Sequence, residues 1–396
     1  MSVTVKDDNA PDDIDLKALF NGKSKPLVMA YIGQDDPHRG DSHGTIGICK
    51  AIAEMIGGDY VYVDEAAIKN HFNDAADYKD GLAYRAHLSQ YLAQFAKPAF
   101  LLGRYSTLET DSYFKRAGIY ESGFMGVNNS VNEVISTWNG QGDKKLVAHD
   151  LTPELLERES HLFSQKNPNI TGPLVGVFMA GDPDHMPPES LKTLKDVGLD
   201  IPQEMCPRID LIAKKLAGIA THYDALTYFI VPCRRTGKDR YESFRNDLEA
   251  QINIKMAGVN KKIQVVGQDY DTAIGAYNPY RGLIGRADHL AVIGYSLSMV
   301  SELLYAGKNI YLSDKRLYAL GELEAQGYIQ DILSLEDAAF PTRNLPRQDI
   351  TPLIARNMVF DYLKGKDMRG HNGELIYSYP IMGGKDAEST YLRNAP

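Results

Sequence analysis

Apolar residues in this chain fall into short unbroken runs, set between longer stretches where they recur every three or four positions. That alternation predicts buried strands exchanging with amphipathic helices. In the first part, Pro26–Gly33, Tyr60–Asp64 and Pro98–Arg104 predict strands. Thr45–Ile56, stopped by Gly57-Gly58, and Gly81–Lys97 predict helices. Lys144–His149 reads as a further strand, and Thr152–Gln165 as a helix with Thr152-Pro153 as N-cap and first-turn pair. Residues 105–142, which hold the single Trp138, are less regular. Residues 1–24 read as a loosely ordered arm with a short helix near Asp15–Phe20.

Turn formers gather in Lys166–Pro173, KNPNITGP, and the pattern then restarts. Leu174–Met179, Ala225–Val231, Lys262–Val266, His289–Gly294 and Asn309–Leu312 predict strands. Pro207–Ala220, Tyr241–Met256, Asn278–Ala287, Met299–Ala306, Leu317–Gln326 and Asp349–Lys364 predict helices. Gly307-Lys308 is a helix stop, and the tail past Gly365 is polar and Gly-rich apart from Ile376–Ile381. Two successive βα-alternating halves imply an α/β chain of two Rossmann-like βαβ domains facing a central cleft. The expected division is an arm at 1–24, domains at 25–168 and 169–348, and a C-terminal helix and tail at 349–396. No repeat of solenoid length interrupts this pattern.

Composition narrows the partners. At 396 residues, 43% hydrophobic and 24% charged, the chain is of ordinary soluble make-up and long enough for two cores. A net charge of -9 argues against broad nucleic-acid or anionic-membrane binding. Cys49, Cys206 and Cys233 are odd in number and far apart, which predicts a reducing compartment without structural disulfides or zinc. The first twenty residues are acidic with no apolar core, unlike a signal or transit peptide. No run approaches the roughly 20 apolar residues of a membrane helix. The expected location is cytoplasmic.

Candidate chemistry concentrates where strands end. Three loops in the second half follow predicted strands: Gly181-Asp182, Arg234–Gly237 and Tyr295–Ser298. In a parallel sheet they emerge at one edge, where open α/β sheets bind ligands. The turn before Met299 also offers unpaired helix N–H groups, which favour an anion. Arg234 and Arg235 would add the charge-assisted donors that a diphosphate needs. Gly181 and Gly237 would allow close backbone approach. Glu302, about a turn into the helix, would accept from a sugar diol, although Ser296, Ser298 and Glu302 would each also serve simply as caps or as charge at the helix end. Asn278 is at least a cap for the next helix.

In the first half, a loop over residues 35–44 packs carboxylates, imidazoles and glycines. His43 and Asp41 are the candidates for a general base, with Gly40 and Gly44 beside them. A metal set of Asp36, His38, Asp41 and His43 has suitable residue types, but lacks regular ligand spacing, and no metal is expected. GxGxxG is absent, so no dinucleotide cofactor is indicated.

The segments PCRRTG (232–237), YNPYRGLIGRADHLAV (277–292) and YSLSMVSELLYAGKNIYL (295–312), with GDSHGTIGICKAI (40–52), resemble the "elongated mitochondria" family, also called mitochondrial fission ELM. That family is similar to the GT-B glycosyltransferases. The resemblance implies that Ser296, Ser298, Ser301 and Glu302 contact the diphosphate and ribose of a nucleotide-sugar donor. Tyr295 stands where the family often has Asp, and Asn309 where Pro is usual.

The expected function is therefore a metal-independent GT-B-type glycosyltransferase. It would hold a nucleotide-diphospho-sugar in the second domain, on Arg234, Arg235, Gly181, Asn278 and the helix start, and pass the sugar to an unknown acceptor. One alternative is a non-catalytic scaffold or recruitment protein with a protein partner, as the family's plant members are known as fission factors. Another is a nucleotide-sugar epimerase, which needs acid/base residues on both cleft walls.

Overall fold

The computed structural model describes residues 17, 25–31, 40–72, 91, 100–103, 120–123, 146–170, 172–181, 209–233, 236–268, 277–294, 296–313, 321–341, 343–363, 368–369 and 375–377. Two compact units divide the chain. One comprises chiefly residues 4–139, 146–150 and 350–396, the other chiefly 151–349.

In the N-terminal unit, β1 (Leu27–Tyr31), α1 (Gly40–Ile56), β2 (Asp59–Val63), α2 (Glu65–Phe72), β3 (Phe100–Gly103) and β4 (Tyr120–Gly123) form an α/β layer. The strands run parallel in the order β2-β1-β3-β4. Strand β1 is central, and Val28, Met29 and Ala30 are fully buried, which is why the run is apolar without alternation. Helix α1 buries Ile48, Cys49, Ile52 and Ile56. It begins at Gly40 rather than Thr45, so the expected first-half loop is partly helix. Gly81–Lys97 lies almost wholly outside the described residues, as does the expected helix near residue 15.

The C-terminal unit contains α3 (Pro153–Lys166), β5 (Leu174–Met179), α4 (Ile209–Ala220), β6 (Ala225–Pro232), α5 (Lys238–Lys255), β7 (Lys262–Gly267), α6 (Tyr280–Arg286), β8 (His289–Ile293), α7 (Leu297–Leu304), β9 (Ile310–Leu312), α8 (Gly321–Ala325) and β10 (Ile329–Asp331). Its six strands are all parallel, in the order β10-β9-β8-β5-β6-β7. Strands β5 and β8 are buried at every residue, whereas no residue of the edge strand β7 is fully buried.

Side chains leave β5 with a period of two. Val175, Val177 and Met179 join Ile212 and Leu216 of α4 and Phe244 and Leu248 of α5 in one core. On the opposite face, Gly176 meets Leu283 and Ala287, and Phe178 meets Tyr280. Here α6 crosses α3 at close range: a Cβ on Gly282 would lie 2.6 Å from the Glu159 carbonyl, and one on Gly285 2.8 Å from that of Leu156. Thr152 caps α3 as expected, its hydroxyl accepting from the Leu155 N–H. Lys308 closes the other end of α6, its Nζ donating to the carbonyls of Ile284 (3.2 Å), Gly285 (2.9 Å) and Ala287 (2.5 Å). Burial lowers this amine to about 8.

Besides the early start of α1, and α2 and β4, which the sequence pattern does not predict, two elements differ from expectation. Leu146–Asp150 is irregular rather than a strand, and β10 extends the sheet from a segment with no strand pattern of its own. The last helix, α9 (Thr351–Leu363), belongs to the N-terminal unit and packs on α1. Its first residue, Thr351, accepts from the His149 N–H and donates to the His149 carbonyl. A short antiparallel pair, β11 (Met368–Arg369) and β12 (Leu375–Tyr377), follows.

Candidate functional site

From β5 the chain proceeds outward to β6 and β7, then returns to place β8 on the other side of β5 and continues outward to β9 and β10. The order therefore reverses between β5 and β8. At such a switch point the two outgoing connections diverge and leave an opening beyond the carboxyl ends of the strands.

Backbone from both strands meets there. Ile293 accepts from the Ala180 N–H at 2.8 Å. Gly294 then takes φ 98, and a Cβ on it would lie 2.7 Å from the Gly181 carbonyl. Only glycine satisfies both conditions without strain. The Gly294 N–H donates to the Ser313 hydroxyl beyond β9, so three strand ends are joined within two residues.

Ser296 is the N-cap of α7, its side chain accepting from the Met299 N–H. Ser298 sits partly exposed in the first turn. Ser301, expected to face a ligand, is buried and donates back to the Leu297 carbonyl at 2.9 Å. Glu302 is only 4% exposed, and its Oε2 accepts from the Tyr280 hydroxyl at 2.5 Å. Burial, and then the charge and hydrogen bond of Glu302, push the Tyr280 phenol well above its ordinary range. Tyr280 is in turn fixed at its backbone, where Asn278 Oδ1 accepts its N–H at 3.0 Å. Pro279, not Asn278, occupies the N-cap position of α6, yet the Asn278 side chain still satisfies the first turn.

The third loop is anchored by a residue that the motif reading treated only as spacing. Thr236 is fully buried, donating to the Met179 carbonyl at 2.6 Å and accepting from the Cys233 N–H at 3.1 Å. It pins the end of β6 to the end of β5 on either side of Arg234 and Arg235. Those two arginines, Asp182 and Tyr295 lie outside the described residues. Gly181 is buried beside Gly294.

In the N-terminal unit, Gly40, Asp41, Ser42, His43 and Gly44 form the opening turns of α1. His43 is buried, and the side chain of Asp41 lies outside the described residues. One turn on, Gly47 packs against the His149 carbonyl with no room for a side chain. The pattern GDSHGTIG thus includes a glycine needed for helix packing, which spacing alone does not separate from one needed for a ligand. Among the described residues, no group of three or more His, Cys, Asp or Glu could hold a metal ion, and no helix is long and apolar enough to cross a membrane. Asp36 and His38 lie outside those residues. Cys49 and Cys233 are free thiols.

No protein-family model and no curated protein sequence matches the chain. Among solved structures it is similar to a family 9 glycosyl transferase from Veillonella parvula, at 9% identity over 84% of this chain and 97% of that one, with a TM-score of 0.38. It is also similar to OtsA in its apo form, at 11% identity over 84% of this chain and 95% of that one, with a TM-score of 0.35. A third is the N-terminal domain of trehalose-6-phosphate phosphatase from Candida albicans, at 8% identity over 86% and 94%, with a TM-score of 0.32.

Proposed function

We propose that the C-terminal unit binds a nucleotide-diphospho-sugar at the β5/β8 switch point, and that the protein is a metal-independent GT-B-type glycosyltransferase. The observation that carries this reading is the position of the Gly294–Ser296 turn. It opens α7 where the strand order reverses, with the buried carboxylate of Glu302 on the same helix. The Leu297 and Ser298 N–H groups, which a helix start leaves without an intrahelical partner, suit a diphosphate, while that of Met299 is capped by Ser296. Glu302 suits the hydroxyls of the attached ribose. The resemblance of the 232–237, 277–292 and 295–312 segments to the ELM family supports the same assignment.

In this reading the acceptor oxygen attacks the anomeric carbon of the donor sugar. The bond from that carbon to the diphosphate breaks, and the diphosphate leaves with the electron pair. Helix amides and the Arg234 and Arg235 guanidiniums stabilise that developing charge, supplying what a metal supplies elsewhere. The acceptor proton passes to a general base as the new bond forms.

Isothermal titration with UDP-, GDP- and ADP-sugars tests the proposal on the wild type and on Glu302→Ala. One donor class is expected to bind, and the substitution to weaken it at least about tenfold, the equivalent of a single charge-assisted hydrogen bond. A thermal-shift panel gives an independent reading, because ligand at 100 times its Kd stabilises by ~2.7 kcal/mol. Binding of none of these donors, or equal binding by the variant, refutes the assignment.

A further inference from the structure

Tyr280 reaches Glu302 across 22 residues of sequence, from the start of a different helix. It is held in three ways. Asn278 binds its N–H, its ring stands edge-on to Phe178 at 5.3 Å and 86°, and its hydroxyl donates to the carboxylate. A phenol clamped at backbone and ring has little freedom to follow a glutamate, so the glutamate takes its orientation from the phenol.

Building on the nucleotide reading above, we propose that Tyr280 is a positioning residue: it aims the Glu302 carboxylate so that this group receives the two hydroxyls of a vicinal diol on the bound nucleotide. An ionised carboxylate is acceptor-only, with about four lone-pair sites, and Tyr280 occupies one of them. A vicinal diol brings two O–H donors, which an ionised carboxylate accepts together and a protonated one does not. The upward displacement of the phenol itself, caused first by burial, keeps it protonated and donating at neutral pH. Both the ribose and the transferred sugar carry such diols, and the probes below separate them.

The test uses isothermal titration of the full chain with UDP, GDP, ADP and CDP, their 2′-deoxy counterparts, and the corresponding diphospho-glucoses. The wild type is expected to prefer one ribonucleotide over its deoxy form by about tenfold, as the loss of one good hydrogen bond predicts. In Tyr280→Phe, which keeps the ring against Phe178, that preference should fall to within about twofold while deoxy affinity holds; a twofold residue is well under 1 kcal/mol. Glu302→Gln should show the same collapse, and the double variant nothing further. If the lost preference is for the sugar-bearing form over the bare diphosphate, the diol is the sugar's and the positioning role stands.

A Tyr280→Phe protein that keeps its preference, or loses ribo and deoxy affinity alike, overturns the proposal while leaving the nucleotide site intact. If Tyr280→Phe does not fold, Phe178→Leu decides, because it loosens the Tyr280 ring while keeping the hydroxyl and Glu302: an unchanged preference overturns the proposal and a reduced one supports it. A wild type that binds none of these ligands overturns the nucleotide reading, and this proposal with it.

Discussion

Gly294→Ala measures how tightly β5 and β8 are drawn together at the switch point. Two costs are separable. At φ 98, an L-residue pays for the left-handed region, ~1–2 kcal/mol, offset by ~0.4–1 kcal/mol because alanine restricts the unfolded chain. A Cβ would also lie 2.7 Å from the Gly181 carbonyl and 3.1 Å from that of Ala180. Neither oxygen is the end of a flexible side chain, so the strand ends must part, which costs ~1–3 kcal/mol on the scale of overpacked cores.

Gly258→Ala isolates the first cost, because Gly258 has φ 77 and nothing within 4 Å of its would-be Cβ. Expected losses are about 0–1.5 kcal/mol for Gly258→Ala and about 1–4.5 kcal/mol for Gly294→Ala. Two compact units need not unfold together, so the measurement is hydrogen exchange at β5 and β8 amides, which reports this unit. Equal losses in the two variants would mean that the close approach at the switch point carries no energy, and the reasoning fails.

Three further outcomes follow from packing and protonation. His289 lies against Phe340, with ring centres 4.9 Å apart, and burial lowers its imidazole from 6.5 to about 4. Between those values the unfolded chain binds the proton and the folded one does not, so stability should drop by roughly 3 kcal/mol as pH falls through the window and then level off; His289→Phe should flatten that slope in denaturant titrations at pH 7 and pH 4. Gly282→Ala should cost about 2 kcal/mol by forcing α6 off the Glu159 carbonyl and Phe163 Cβ, read from the urea midpoint. Gly47→Ala should destabilise the N-terminal unit by a comparable amount, about 2 kcal/mol, with protection lost first in α1 and at residues 146–150; unchanged exchange there would contradict the packing described for His149.

Strands buried on both faces were the most legible parts of the chain. Leu174–Met179 and His289–Ile293 read correctly because a central parallel strand needs an apolar residue at every position. Thr152 as a cap and Gly307 as a stop were also visible, since both act through their own neighbours in sequence. Where partners are distant, the signal weakened. Strand β10 is three residues long and owes its conformation to pairing with β9, and Leu146–Ala148 is apolar because it is buried, not because it pairs. Gly40–Gly44 read as a loop on its glycines, whereas α1 begins there.

Local pattern thus determined an α/β chain with two parallel sheets, and it located the Ser-bearing helix start. Strand order is a matter of which elements touch, and nothing within a strand records its neighbour. The reversal between β5 and β8, the bond from Tyr280 to Glu302 across 22 residues, and the anchoring of the Cys233–Thr236 turn on Met179 were decided only in three dimensions. Each depends on groups far apart along the chain whose energies arise only after the sheet has closed around them.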